Sequence, residues 1–157
     1  MHSDKDPIVA TATAAGRGAI GIVRLSFHER WNEAVLHALF GLRVVRARHA
    51  HLYPVRDEND RVLDHAIVLF FPAPASYTGE SVLELQVHGG PVLLRMVLRS
   101  VLKKCAFCGM RLARAGEFTE RAFLNGRIDL AQAEAVTDLI DAASETAAQA
   151  AQRSLSG

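Results

Sequence analysis

From Asp129 to Arg153 the chain reads DLAQAEAVTDLIDAASETAAQAAQR, with neither proline nor glycine to interrupt a helix. At 1.5 Å per residue such a helix is about 35 Å long. Asp129 and Gln132 have the spacing of a capping box, in which each side chain accepts a hydrogen bond from the other residue's backbone N–H. Alanine fills much of the segment (Ala131, Ala133, Ala135, Ala142, Ala143, Ala147, Ala148, Ala150, Ala151). Leu130, Ala133, Thr137, Ile140 and Ala147 recur at roughly helical spacing. Small side chains permit close helix–helix approach, so the segment asks for a helical partner. One expectation is a helix folded back on the chain's own sheet. The favoured expectation is the first helix of a helical domain whose other helices lie beyond Gly157.

The preceding residues alternate between strand and helix signals. Ile8 to Thr13, Ile20 to Ser26, His49 to Val55, Val62 to Phe70 and Ser81 to His88 read as strands. Ala14 to Gly18 reads as a turn, and Asp57 to Asp60 as a polar turn between two strands. Arg30 to Phe40 reads as an amphipathic helix ending before Gly41. Gly89-Gly90-Pro91 opens a helix to about Cys105, with proline in the first turn where its missing N–H does no harm. Met110 to Ala113 is a short strand, and Thr119 is expected to cap a short helix that Gly126 closes. The pattern predicts an α/β (α+β) fold, a mixed sheet with packed helices followed by the start of an α-helical domain. The expected division is 1–118 and 119–157.

Composition narrows function mainly by exclusion. Formal net charge is +1 over 157 residues, so no strong field advertises a nucleic acid or a membrane surface. The longest apolar run, Ala66 to Ala75, is broken by Pro72 and Pro74 and is too short to span a bilayer. A polar start, Met1 to Asp6, argues against a signal peptide and predicts a cytoplasmic protein. Cys105 and Cys108 lack the second ligand pair of a structural zinc site. They also follow a helix rather than opening one, so they read as ordinary thiols. No Gly-x-x-x-x-Gly-Lys-Ser/Thr occurs, so no triphosphate site is legible. Arg43, Arg46, Arg48, His49 and His51 form a modest basic stretch, read as a solvated edge, with an RNA contact as the minor alternative.

The strand SVLELQVH carries the clearest chemistry. Alternation puts Leu83, Leu85 and Val87 on one face and Val82, Glu84, Gln86 and His88 on the other. A carboxylate inside a domain requires pairing or hydrogen bonds. Glu84 is therefore either on a solvated sheet face or in a pocket, accepting from guanidine-like N–H edges. Arg24, on a face with Ile20 and Ile22, is an ion-pair member, an edge residue or a clamp for a ligand carboxylate. Glu117, Glu120, Arg121, Arg127 and Asp129 either lace neighbouring helices together or, for Arg127 just past Gly126, face a ligand or subunit. No residue stands out as catalytic, and none as a metal ligand.

Three long stretches, DPIVATATAAGRGAIGIVRLS, SYTGESVLELQVHGGP and AGEFTERAFLNGRIDLAQAEAVTDLIDA, occur in this order. They resemble the N-terminal part of the MnmE (TrmE) family of tRNA-modification GTPases. The resemblance implies a domain similar to the tetrahydrofolate-binding domain of aminomethyltransferases. It implies a homodimer with 5-formyltetrahydrofolate, or 5,10-methylenetetrahydrofolate as one-carbon donor, close to the dimer interface. It further implies a helical domain interrupted by a G domain that takes GTP, potassium and magnesium. That G domain is absent from this sequence, so GTP hydrolysis is not expected of this chain alone. With the flavoprotein MnmG, the family modifies the wobble uridine of tRNA (carboxymethylaminomethyl type). Carried over by motif, the folate contacts fall on Arg24, Glu84 and Arg127. Glu84 suits the pterin's paired donors, and Arg24 or Arg127 suits the glutamate tail. Where many members have Lys, this chain has Arg127, which keeps the charge and changes the donor geometry. The rival expectations are a free-standing folate-dependent aminomethyltransferase-like protein and a ligand-free dimerisation or RNA-docking module.

Overall fold

The computed structural model describes residues 4–12 and 18–156. The expected turn at Ala14 to Gly18 falls almost wholly outside them, as do the side chains of Ala143, Ala147, Ala148 and Ala151. The strands are β1 (Ile8–Thr11), β2 (Ile20–Phe27), β3 (His51–Arg56), β4 (Val62–Phe71), β5 (Ser81–His88) and β6 (Arg111–Leu112). The helices are α1 (Asn32–Phe40), α2 (Pro91–Lys104), α3 (Glu117–Leu124) and α4 (Leu130–Ser156). The strands form one mixed sheet in the order β3-β4-β5-β2-β1-β6, antiparallel except for the β1/β6 edge. The α/β expectation holds.

Strand alternation gives the sheet two different faces. On one, Val23, Leu25, Leu83, Leu85, Val68 and Phe70 are buried beneath α1 and α2, which contribute Val35, Phe40, Leu94, Val97 and Val101. Burying a large aliphatic or aromatic side chain contributes about 1.5–3 kcal/mol, so this layer dominates the stability of the unit. The second face is divided. At one end α3 and the Pro72–Glu80 loop cover it, burying Ile8, Ser26 and Val82. At the other end a cross-strand row remains open. Leu52 pairs with Ile67, and Ile67 with Gln86. Leu52 is 68% exposed and Ile67 41%.

Polar contacts fasten α3 to the sheet. Glu117 is 1% exposed and Arg121 2%. Both carboxylate oxygens of Glu117 accept from Arg111 at 2.8 Å. Oε1 also accepts from the backbone N–H of Arg114 at 2.9 Å, and Oε2 from Arg121 at 3.0 Å. Arg121 reaches on to Glu80 at 2.8 Å, whose same oxygen accepts from Ser26 at 2.8 Å. Burial opposes ionisation of Glu117, but these donors outweigh it and hold the carboxyl far below the usual carboxylate range.

The cap of α3 differs from expectation. Gly116, in the left-handed region at φ 74°, occupies the cap position. Thr119 lies inside the helix, with its hydroxyl 2.9 Å from that of Tyr77. Gly126, at φ 71°, ends the helix as expected. The Asp129/Gln132 capping box forms reciprocally at 2.9 and 2.7 Å. Beyond it α4 packs on α3, with Leu130, Ala133, Thr137 and Ile140 lining the groove between them. Leu139 on the same helix is 70% exposed.

Candidate functional site

Arg24 and Glu84 are direct cross-strand partners on β2 and β5. Both therefore stand on the divided face of the sheet. Arg24 Nη2 donates to Glu84 Oε2 at 3.3 Å, with side chains 29% and 13% exposed. The Arg24 guanidinium lies 5.9 Å from the ring centroids of both Tyr77 and Phe118. Flat, cation-compatible aromatic surface therefore borders the ion pair. Arg24 holds one oxygen of Glu84, leaving Oε1 as an acceptor.

Arg127 comes from a different part of the chain and reaches the same place. Gly126 turns the backbone at the end of α3, and the Arg127 Nε then donates to the carbonyl of Ser76 at 3.1 Å. The Ser76–Glu80 loop is drawn against this link by Asn125 Nδ2, which donates to the Thr78 carbonyl at 2.7 Å. Gly79, at φ 81°, makes the approach possible. A Cβ there would stand 2.9 Å from Asn125 Cβ and 3.3 Å from Arg127 Cγ. Arg24, Glu84 and Arg127 consequently line one cleft of about 350 Å³, together with Arg48, Phe71 and Tyr77.

Three of these residues, Arg48, Phe71 and Tyr77, were not among the expected site residues. Tyr77 sits in the SYTGE stretch without chemistry of its own to mark it. Arg48 belongs to the basic segment read as a solvated edge. That reading suits Arg43, Arg46 and Arg48 alike, all of which are exposed. Exposed as it is, Arg48 also adopts φ 58° and lays its guanidinium over the Phe71 ring, 5.5 Å from the centroid, which brings it to the cleft.

A larger cleft of about 630 Å³ lies by His28, Glu29, Pro74, Arg121 and Leu124. Its buried guanidinium, Arg121, already serves Glu80 and Glu117. Burial pushes the Cys105 thiol up to about 12 and that of Cys108 in the same direction, so neither is a nucleophile at neutral pH. Among the described residues, no group of three or more His, Cys, Asp or Glu is placed to hold a metal ion. Among them, too, no helix is long and apolar enough to cross a membrane.

The family model for the GTP-binding protein TrmE N-terminus matches residues 7–127, which include every residue of the cleft. The chain belongs to the TrmE/MnmE family. Its relatives agree. It is 56% identical to the tRNA modification GTPase MnmE of Burkholderia ambifaria and 55% identical to that of Burkholderia thailandensis. The MnmE of Paraburkholderia xenovorans is 54% identical. Each match covers 100% of this chain and 34% of the relative. The chain thus spans about a third of the length of these MnmE proteins, and the family model it matches is that of the family's N-terminus.

Proposed function

We propose that the cleft binds a reduced folate carrying a one-carbon group, 5-formyltetrahydrofolate or 5,10-methylenetetrahydrofolate, through Arg24, Glu84 and Arg127. The observation that carries this reading is the convergence of one carboxylate and several guanidiniums, from β2, β5 and the α3–α4 link, on one aromatic-bordered cleft. The donor set fits the ligand at both ends. Glu84 Oε1 is an acceptor for the paired ring N–H and amino donors of a pterin. Guanidiniums suit the carboxylates of the glutamate tail. When bound, the folate supplies the carbon unit, and the chain's residues orient it.

The open row of Leu52 and Ile67, with Ile20 at 58% exposure on the same face, is the surface we assign to a homodimer. On this reading 1–118 is the folate-binding and dimerisation unit, and 119–157 leads into a helical domain. The whole protein takes GTP, potassium and magnesium outside these residues. It works in the cytoplasm with the flavoprotein MnmG on the wobble uridine of tRNA.

Calorimetric titration of the chain with 5-formyltetrahydrofolate tests the assignment. Saturable binding at one site per chain is expected, weakened at least tenfold by Glu84→Gln. Wild-type affinity in both Glu84→Gln and Arg24→Gln refutes it. Light scattering is expected to give the dimer mass, and the Leu52→Glu/Ile67→Glu double variant the monomer mass.

A further inference from the structure

We infer that Arg48 and Arg127 form a paired-guanidinium seat for the dicarboxylate end of the ligand. Arg24 instead belongs to the opposite, pterin end with Glu84. This rests on the folate reading above and adds a specificity residue to it.

The division of labour follows from the contacts. Arg24 faces Glu84 across the strand pair, and its guanidinium is flanked by two rings. Arg48 and Arg127 are both anchored on the loop after β4, on consecutive carbonyls. Arg48 Nη2 donates to the carbonyl of Ala75, and Arg127 Nε to that of Ser76. Each guanidinium has five N–H donors in a planar fork, so one anchoring bond leaves most of them for a ligand. The backbone of Arg48 is fixed as well. It sits at φ 58°, a region few residues other than glycine adopt, and its N–H donates to the Phe70 carbonyl at 2.8 Å. The result is two cations tied to one loop and lining one cleft.

Charge indicates what such a pair takes. Among the cleft's lining residues, Arg24, Arg48 and Arg127 carry +3 and Glu84 carries −1, leaving +2. No other charged side chain lines it. Like charges lining one cleft repel, and a ligand end bearing two carboxylates relieves that repulsion. A single glutamate, with its α- and γ-carboxylates, has that charge. Arg48 therefore reads the tail, and the pterin end is indifferent to it.

Ligand truncation separates this from a merely structural role for Arg48. The chain and its Arg48→Gln and Arg48→Lys variants are titrated with 5-formyltetrahydrofolate and with the primary amide of 5-formyltetrahydropteroate, in which a neutral amide stands in place of the glutamate and both its carboxylates. Arg48→Gln is expected to weaken the glutamyl ligand about tenfold, the scale of one charge-assisted hydrogen bond at a partly exposed site. It should leave the pteroyl amide within twofold. Arg48→Lys is expected to recover part of the loss, and added salt to weaken the wild type more than Arg48→Gln. Equal losses for the two ligands, or no loss for either, overturn the inference while leaving the folate site standing. A wild-type chain that binds neither ligand overturns both.

Discussion

Replacing Glu117 by glutamine should unseat α3 and, through it, the link that presents Arg127. The substituted amide would keep one acceptor oxygen and put an N–H₂ group where Oε2 of Glu117 accepts from Arg111, Arg121 and, at 3.5 Å, Arg114. The guanidiniums of Arg111 and Arg121 would face donors instead of a carboxylate, in side chains 13% and 3% exposed. Removing one partner of a buried ion pair typically costs about 3–5 kcal/mol. The low end applies here, because Arg111 keeps Asp6 at 3.1 Å and Arg121 keeps Glu80 at 2.8 Å. About 3 kcal/mol corresponds to a fall in melting temperature of roughly 6–12 °C for a chain of this size. Urea denaturation followed by circular dichroism gives the free energy, and calorimetry the melting temperature. Hydrogen exchange should quicken first in α3. A loss below about 1 kcal/mol would mean that water or rearranged side chains replace the network at little cost, and that the Glu117 cluster does not hold α3 in place.

The same carboxylate sets an acid limit. Its pKa lies below the unfolded value of 4.5, so its contribution is present above that pH and lost on acidification through the region beneath it; urea midpoints should therefore fall below about pH 4.5, and more steeply in wild type than in Glu117→Gln. Gly79→Ala should cost about 2 kcal/mol from the positive φ and the contact with Asn125 Cβ, and should also displace Arg127, so that folate affinity falls along with the urea midpoint. Cys105 and Cys108 should resist a neutral-pH thiol reagent in the folded chain and react on addition of denaturant.

Periodic and local signals were the legible ones. SVLELQVH revealed its strand and both its faces because side chains alternate at a period of two. The Asp129/Gln132 box and the stop at Gly126 were readable because both are contacts within a few residues. The α3 cap differs because the left-handed cap at Gly116 satisfies the geometry that a threonine side chain was expected to supply. Long-range pairing was not legible from the residues themselves. Nothing in β2 or β5 alone says that Arg24 and Glu84 are registered opposite each other; the family resemblance named both without placing them in contact. Glu117 looked like one charge among several in a connector, because its partners Arg111 and Arg121 become a buried cluster only when α3 docks. Arg48 was hidden for the same kind of reason. Its composition marks a solvated edge, where it does lie exposed, and only its φ and its position over Phe71 bring it to the cleft.

Folate is expected at the Arg24–Glu84–Arg127 cleft rather than at the larger cleft beside Arg121. Amide chemical shifts of the isotope-labelled chain, followed by NMR as 5-formyltetrahydrofolate is added, test that location directly. The largest changes are predicted at Arg24, Tyr77, Glu84 and Arg127, with Arg48 among them. Changes centred on His28, Glu29 and Leu124, with those residues silent, would contradict it.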